Sequence, residues 1–167
     1  MTTRRSYSGL VTMSLLAAWI GVAVFVAAVI APAAFAVLPT RALAGALVGE
    51  ALPVLFMGGI VLGAFVVVVH ASTSRATGIG GLVLLAGNVV ALMIEHRLHA
   101  LLVSIGAPID SISVTDPRRI AFGRMHGLSV LMMAIGLAGA SVALGVLMRR
   151  LHAASAAPFP RSFTSTP

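Results

Sequence analysis

Four carboxylates and five histidines are the residues of this 167-residue chain best suited to moving protons or holding metal ions. Most of them lie within long apolar runs. Glu50 falls in one run, Glu95, His96 and His99 in a second, and His126 in a third. A titratable group in such a run is costly to bury, which makes it a functional candidate. Two imidazoles on facing segments are the axial pair of a b-type haem. Imidazole together with the thioethers of Met93, Met125 or Met133 suits Cu(I). The candidates for haem or copper are therefore His126, His99, His96 and Met125. Glu and His at one depth also suit a path for protons or solutes. A third reading is structural, with Glu50 and Glu95 paired to Arg97, Arg124 or a histidine in a network completed by Asn88 and Ser129. The residues alone leave all three open.

The elements that would position these groups are helices in a bilayer. Hydrophobic residues make up 59% of the chain and charged ones 9%, against about a quarter charged in soluble domains. The mean hydropathy is +1.09. A spanning helix needs about 20 apolar residues. Four runs satisfy this, at about 10–38, 43–70, 78–103 and 117–150, and the expected fold is an all-α, four-transmembrane-helix bundle. Residues 1–9 are expected to form a cytoplasmic N-terminus, and 151–167, rich in Ala, Ser, Pro and Thr, a disordered tail. Pro32 is expected to kink the first span near its far end. Asp116-Pro117 reads as an N-cap with proline at the first helical position.

Depth and angle bring the candidates together. Spans 1 and 3 end on the face where spans 2 and 4 begin, so Glu50, Glu95 to His99, Arg124 and His126 share one half of the bilayer. At 100° per residue, Asn88, Glu95 and His99 fall within about 40° of one another. His126, Ser129 and Met133 form a similar stripe, and Glu50 aligns with Met57 and Val61. The expectation is a polar layer between helices 2, 3 and 4. Arg124 points away from His126 and is expected to snorkel to the interface.

Other function classes are excluded or left without support. All eleven basic residues are arginine, and they flank the spans as Arg4/Arg5, Arg75 and Arg149/Arg150. That is membrane-flanking charge, not a nucleic-acid surface. The absence of cysteine excludes disulfides and thiolate sites. No nucleophile elbow, P-loop or zinc-protease motif occurs, so an enzyme is not the first reading. Small residues at spacing four, Gly45/Gly49, Gly59/Gly63 and Gly136/Ala140, suit close helix packing, within the chain before a homo-oligomer or a membrane-protein partner. Arginine counts nearly balance between the two sides; the stretch between spans 3 and 4 also carries Asp110 and Asp116, which favours both termini inside a bacterial inner membrane.

Particular residues also resemble a known family. Trp19-Ile-Gly21, Ala31-Pro32-Ala33-Ala34-Phe35, Ala44-Gly45, and Phe122-Gly-Arg-Met-His126-Gly127-Leu-Ser129 resemble the DUF4149 family, which includes the TMEM-type protein 205 of eukaryotes. The resemblance implies a four-helix membrane protein and singles out Trp19, Gly21, Pro32, Phe35, Gly45, Phe122, His126, Gly127 and Ser129. It also implies distant kinship with copper-resistance D-type and HemJ-type membrane proteins, the latter haem-dependent porphyrinogen oxidases. By that analogy the polar layer would hold haem b or copper. A haem there would give a Soret band lost in His126→Ala.

Overall fold

A computed structural model of the chain describes residues 2–155. The chain is all helix apart from short turns. α1 (Thr2–Phe25) runs through a π turn (Val26–Ile30) into α2 (Ala31–Val37), forming one rod. α3 covers Arg41–His70, α4 Arg75–Ile105 and α5 Pro117–Ser155. Four segments are long and apolar enough to cross a membrane: Tyr7–Val37, Arg41–His70, Arg75–Ile105 and Pro117–Ala153. Two bounds differ from the sequence reading because of caps. Thr40 Oγ1 accepts from the Leu43 amide and starts α3 two residues early; Ser74 Oγ accepts from Thr77 and starts α4 three residues early. The last helix also passes its expected end at Arg150 and reaches Ser155. The rest of the Pro-rich tail lies outside the described residues.

The π turn follows from Pro32. Proline has no N–H and its ring crowds the carbonyl four residues back. The ladder responds with an Ala31 amide that reaches Val26 O, five residues back instead of four. Beyond this turn, α2 packs on α3.

The helices form a ring in which α4 lies between α3 and α5, and α1 closes the circle with lighter contacts to both. Glycine sets how closely α4 sits. A Cβ on Gly63 would lie 2.7 Å from Leu85 N and 2.9 Å from Gly81 O. One on Gly80 would lie 2.7 Å from Gly139 O, and one on Gly87 2.8 Å from Met132 O. Backbone thus meets backbone on both sides of α4, the arrangement lipid favours where no hydrophobic effect drives helices together. Gly59/Gly63 and Gly136/Ala140 pack within the chain, as expected. Gly45 and Gly49 do not, because a Cβ on either would meet nothing within 4 Å.

This packing is confined to the half of the bundle that holds the termini. There Leu16, Phe56, Val66, Leu84, Ala140 and Ala143 are fully enclosed. In the other half burial is sparser: α5 buries only Ser129, α3 Ala44 and, at its middle, Leu55, and α4 Ala91 and Leu98. The first rod is attached by two polar contacts. Trp19 Nε1–H donates to Leu55 O at 3.2 Å, and His70 Nε2 meets Thr12 Oγ1 at 2.9 Å. The Thr12 hydroxyl donates to Ser8 O at 2.7 Å, so the His70 Nε2–H is the donor of that pair.

The two loops at the open end are tied by charge. Asp110 lies 3.6 Å from Arg41 and 3.8 Å from Arg119, and Gly106 ends α4 at φ 65°.

Three variants probe this packing. Gly63→Ala is expected to lower stability by about 1–3 kcal/mol, since backbone must move, while Gly45→Ala leaves the melting temperature in detergent unchanged or slightly raised. Thr12→Val is expected to cost about 1–3 kcal/mol by leaving a buried His70 N–H without an acceptor. Thermal unfolding of the purified protein measures each.

Candidate functional site

α4 and α5 bring together the groups that face each other at the open end. Glu95 is half-buried on α4, and its Oε1 accepts from Ser129 Oγ on α5 at 3.2 Å. Ser129 is almost fully enclosed. His126 lies one turn before it on α5, close enough for its charge to act on the Glu95 carboxylate. The Phe122 ring stacks parallel to His126, centroids 6.1 Å apart, and so orients the imidazole. Glu95 stands ten residues before the end of α4, about 15 Å along the axis. With a hydrocarbon core of about 30 Å, that places it roughly 7 Å below the loop-side boundary.

Asn88 lies two turns deeper on the same stripe. It is completely enclosed, and its Nδ2 donates to Leu84 O at 2.8 Å. Its Oδ1 is the one buried side-chain N or O atom among the described residues without a hydrogen-bond partner. The amide is wedged between helices: a Cβ on Gly59 would lie 2.5 Å from Oδ1, and one on Gly136 2.8 Å from Nδ2. That fit leaves no space for a ligand. Asn88 is the floor beneath the Glu95–Ser129 pair.

Several expected members stand apart. Glu50 was grouped with the layer between helices 2, 3 and 4, but it is exposed and makes no hydrogen bond or ion pair among the described residues. Its stripe, through Met57 and Val61, faces outward because Gly59, Gly63 and Val66 take the inner face of α3. Arg97 and Arg124 are exposed and form no ion pair among the described residues, so neither neutralises Glu95. His96 and His99 are exposed, although His99 shares the stripe of Asn88 and Glu95, because at that level the buried line of α4 runs through Leu98 instead. Met125 is half-buried beside His126.

These positions test the expected cofactors. An axial pair needs two imidazoles facing one another across a slot. All three candidate imidazoles are exposed, and His126 stacks on Phe122 of its own helix rather than facing His96 or His99. Among the described residues no three His, Asp or Glu side chains converge as a metal site would require. The residues present do not fit a haem held by two imidazoles or a metal ion held by three His, Asp or Glu side chains.

The family-motif residues hold structure in different ways. Trp19 bonds to Leu55 O, Pro32 sets the π turn, and the Phe35 ring lies 5.5 Å below the Arg41 guanidinium. Gly21, Gly45 and Gly127 face open space. Sequence reasoning missed the Thr12–His70 bond, since neither residue announces a partner 58 positions away.

Asp116 fixes the start of α5 and so the height of His126 and Ser129. Its Oδ1 accepts the Arg118 amide at 2.8 Å, and its Oδ2 the Arg118 guanidinium at 2.8 Å. The side-chain bond from Arg118 first, then the backbone bond, holds this carboxyl below its ordinary value of 3.8. Its stabilising contribution is therefore complete above 3.8 and is lost as pH falls through the lower folded value. The Arg118 amide resonance in micelles should titrate below pH 3.8, and in Asp116→Asn that titration should vanish.

Against known proteins, no curated protein and no solved structure matches this chain. A family profile, described as a domain of unknown function (DUF4149), matches residues 14–106, more than half of the chain. The match covers Trp19, Glu50, Asn88 and Glu95 and ends before α5. This four-helix chain, with a membrane-spanning pattern throughout, belongs to the DUF4149 family.

Proposed function

We propose that this protein handles protons at Glu95, at the α4–α5 contact in the loop-side half of the bundle. The observation that carries this reading is the Ser129 Oγ–Glu95 Oε1 bond at 3.2 Å, formed at membrane depth without an arginine partner. A structural network would spend Arg97 or Arg124 on this carboxylate, and neither is paired among the described residues. A carboxylate in hydrocarbon requires a positive partner or a proton. His126, one turn before Ser129 on α5, is the group placed to deliver or receive that proton. The role is non-enzymatic: a relay or sensor whose proton comes from the loop-side compartment.

The same reading places the chain in a bacterial inner membrane with both termini cytoplasmic. All four acidic residues lie in the loop-side half, where Asp110 and Asp116 pair with Arg41, Arg118 and Arg119. On the terminal side Arg75, Arg149 and Arg150 meet no acid, and Arg150 bonds to Thr73 O. That asymmetry supports a cytoplasmic terminal side.

A hydrophobic carbodiimide, which attacks protonated carboxyls in apolar surroundings, tests the site in native membranes. Glu95 is expected to be modified, with modification falling as the pH of the loop-side medium is raised and abolished in Glu95→Gln. An unreactive Glu95 across mildly acidic and mildly alkaline media would contradict the proposal.

A further inference from the structure

The other glutamate of the open half, Glu50, faces a different feature. An open groove of about 820 Å³ runs down the outside of the bundle between α1 and α3. Leu15 and Trp19 form one wall; Pro53, Met57, Val61 and Phe65 form the other. Its lining is almost wholly apolar, and the indole N–H of Trp19 is already engaged by Leu55 O. Glu50 belongs to the same face of α3, one turn before Pro53 and Val54 and two turns before Met57. It is not itself a wall residue, and helix spacing puts it one turn beyond the loop-side end of the α3 wall. It is nine residues into α3, about 13 Å, which puts it some 6 Å inside the hydrocarbon boundary of a core about 30 Å thick.

Three features at that end are electronegative or aromatic. Glu50 has no hydrogen bond or ion pair among the described residues. Pro53 carries no N–H, so the Gly49 carbonyl lacks its regular helical donor. Nothing lies within 4 Å of where a Gly45 or Gly49 side chain would start, which keeps the approach clear. Below them, Phe65 offers ring surface, and Trp19, 8% exposed, offers a small part of its indole. Acyl chains alone would fill an apolar groove, but they would leave the carboxylate without a partner. An uncharged or anionic guest would do the same.

We propose that this groove binds a lipophilic organic cation, an aromatic onium or amine entering from the bilayer, with Glu50 pairing its positive centre and Trp19 packing on its apolar body. The volume suits such a ligand. The site is separate from Glu95, on another helix face, and does not depend on the proton reading.

The chain has one tryptophan, Trp19, so its fluorescence reports on the groove directly. Protein in nanodiscs is titrated with tetraphenylphosphonium and, in parallel, with tetraphenylborate, an anion of the same shape. A saturable change in Trp19 emission is expected with the phosphonium and not with the borate. Glu50→Gln, a change at an exposed position, is expected to weaken the phosphonium by about tenfold or more, while Glu95→Gln leaves it unchanged. Equal responses to both ions, a response that does not saturate, or undiminished affinity in Glu50→Gln would each mean simple partition into lipid and overturn the proposal.

Discussion

Backbone contact across glycine is the constraint on which the rest of the structure depends. In lipid, apolar side chains gain nothing by leaving the solvent, so helices adhere through close van der Waals fit. α4 obtains that fit on two sides at once. Gly63 and Gly81 bring in α3, and Gly80, Gly87 and Gly139 bring in α5. These glycines all lie in the middle and terminal-side parts of their helices. Above them the close approach ends: Gly45, Gly49, Gly123 and Gly127 meet no neighbour. The bundle is consequently closed at one end and open at the other.

That asymmetry sorts the polar residues into two kinds. In the closed half they are locked. His70 is spent on Thr12, Ser74 and Thr77 bond to one another, and Asn88 is wedged between two glycines. The Asn88 Oδ1 faces the Gly59 Cα hydrogens, a weak interaction that does not replace an N–H donor. In the open half the polar residues retain unused capacity. Glu95 has one hydroxyl partner and a histidine nearby, and Glu50 has none among the described residues. The same glycine pattern that makes the fold thus determines which charged groups remain available for chemistry.

Much of this was legible in the sequence. Run lengths gave the four spans, Pro32 the disturbance in the first, and Asp116-Pro117 the start of the last. Depth was legible too, because counting residues from each turn fixes height in a straight helix. The facing of each stripe was not. Asn88, Glu95 and His99 share one stripe, yet they end up enclosed, half-buried and exposed, since burial depends on where the neighbouring helix stops packing. Depth and its alignment with Met57 and Val61 suggest an inward place for Glu50 on span 2. The glycines of that span, which mark the inner face more surely than polarity does, point the other way. The contacts of Trp19 and His70 with α3 and α1 pair residues far apart in the chain, and no local pattern encodes them.

The central claim is that the bundle is sealed at its terminal half and open to the loop side around Glu95. The chain contains no cysteine, so single cysteines can be placed without background. Gly127→Cys, at an open position of α5 in the loop-side half, and Ala140→Cys, in the sealed half, are compared in oriented vesicles with a membrane-impermeant maleimide. The account expects Gly127→Cys to react from the loop side only and Ala140→Cys to remain unreactive from either side. Equal reactivity at the two positions, or reaction of Gly127→Cys from the side of the termini, would contradict it.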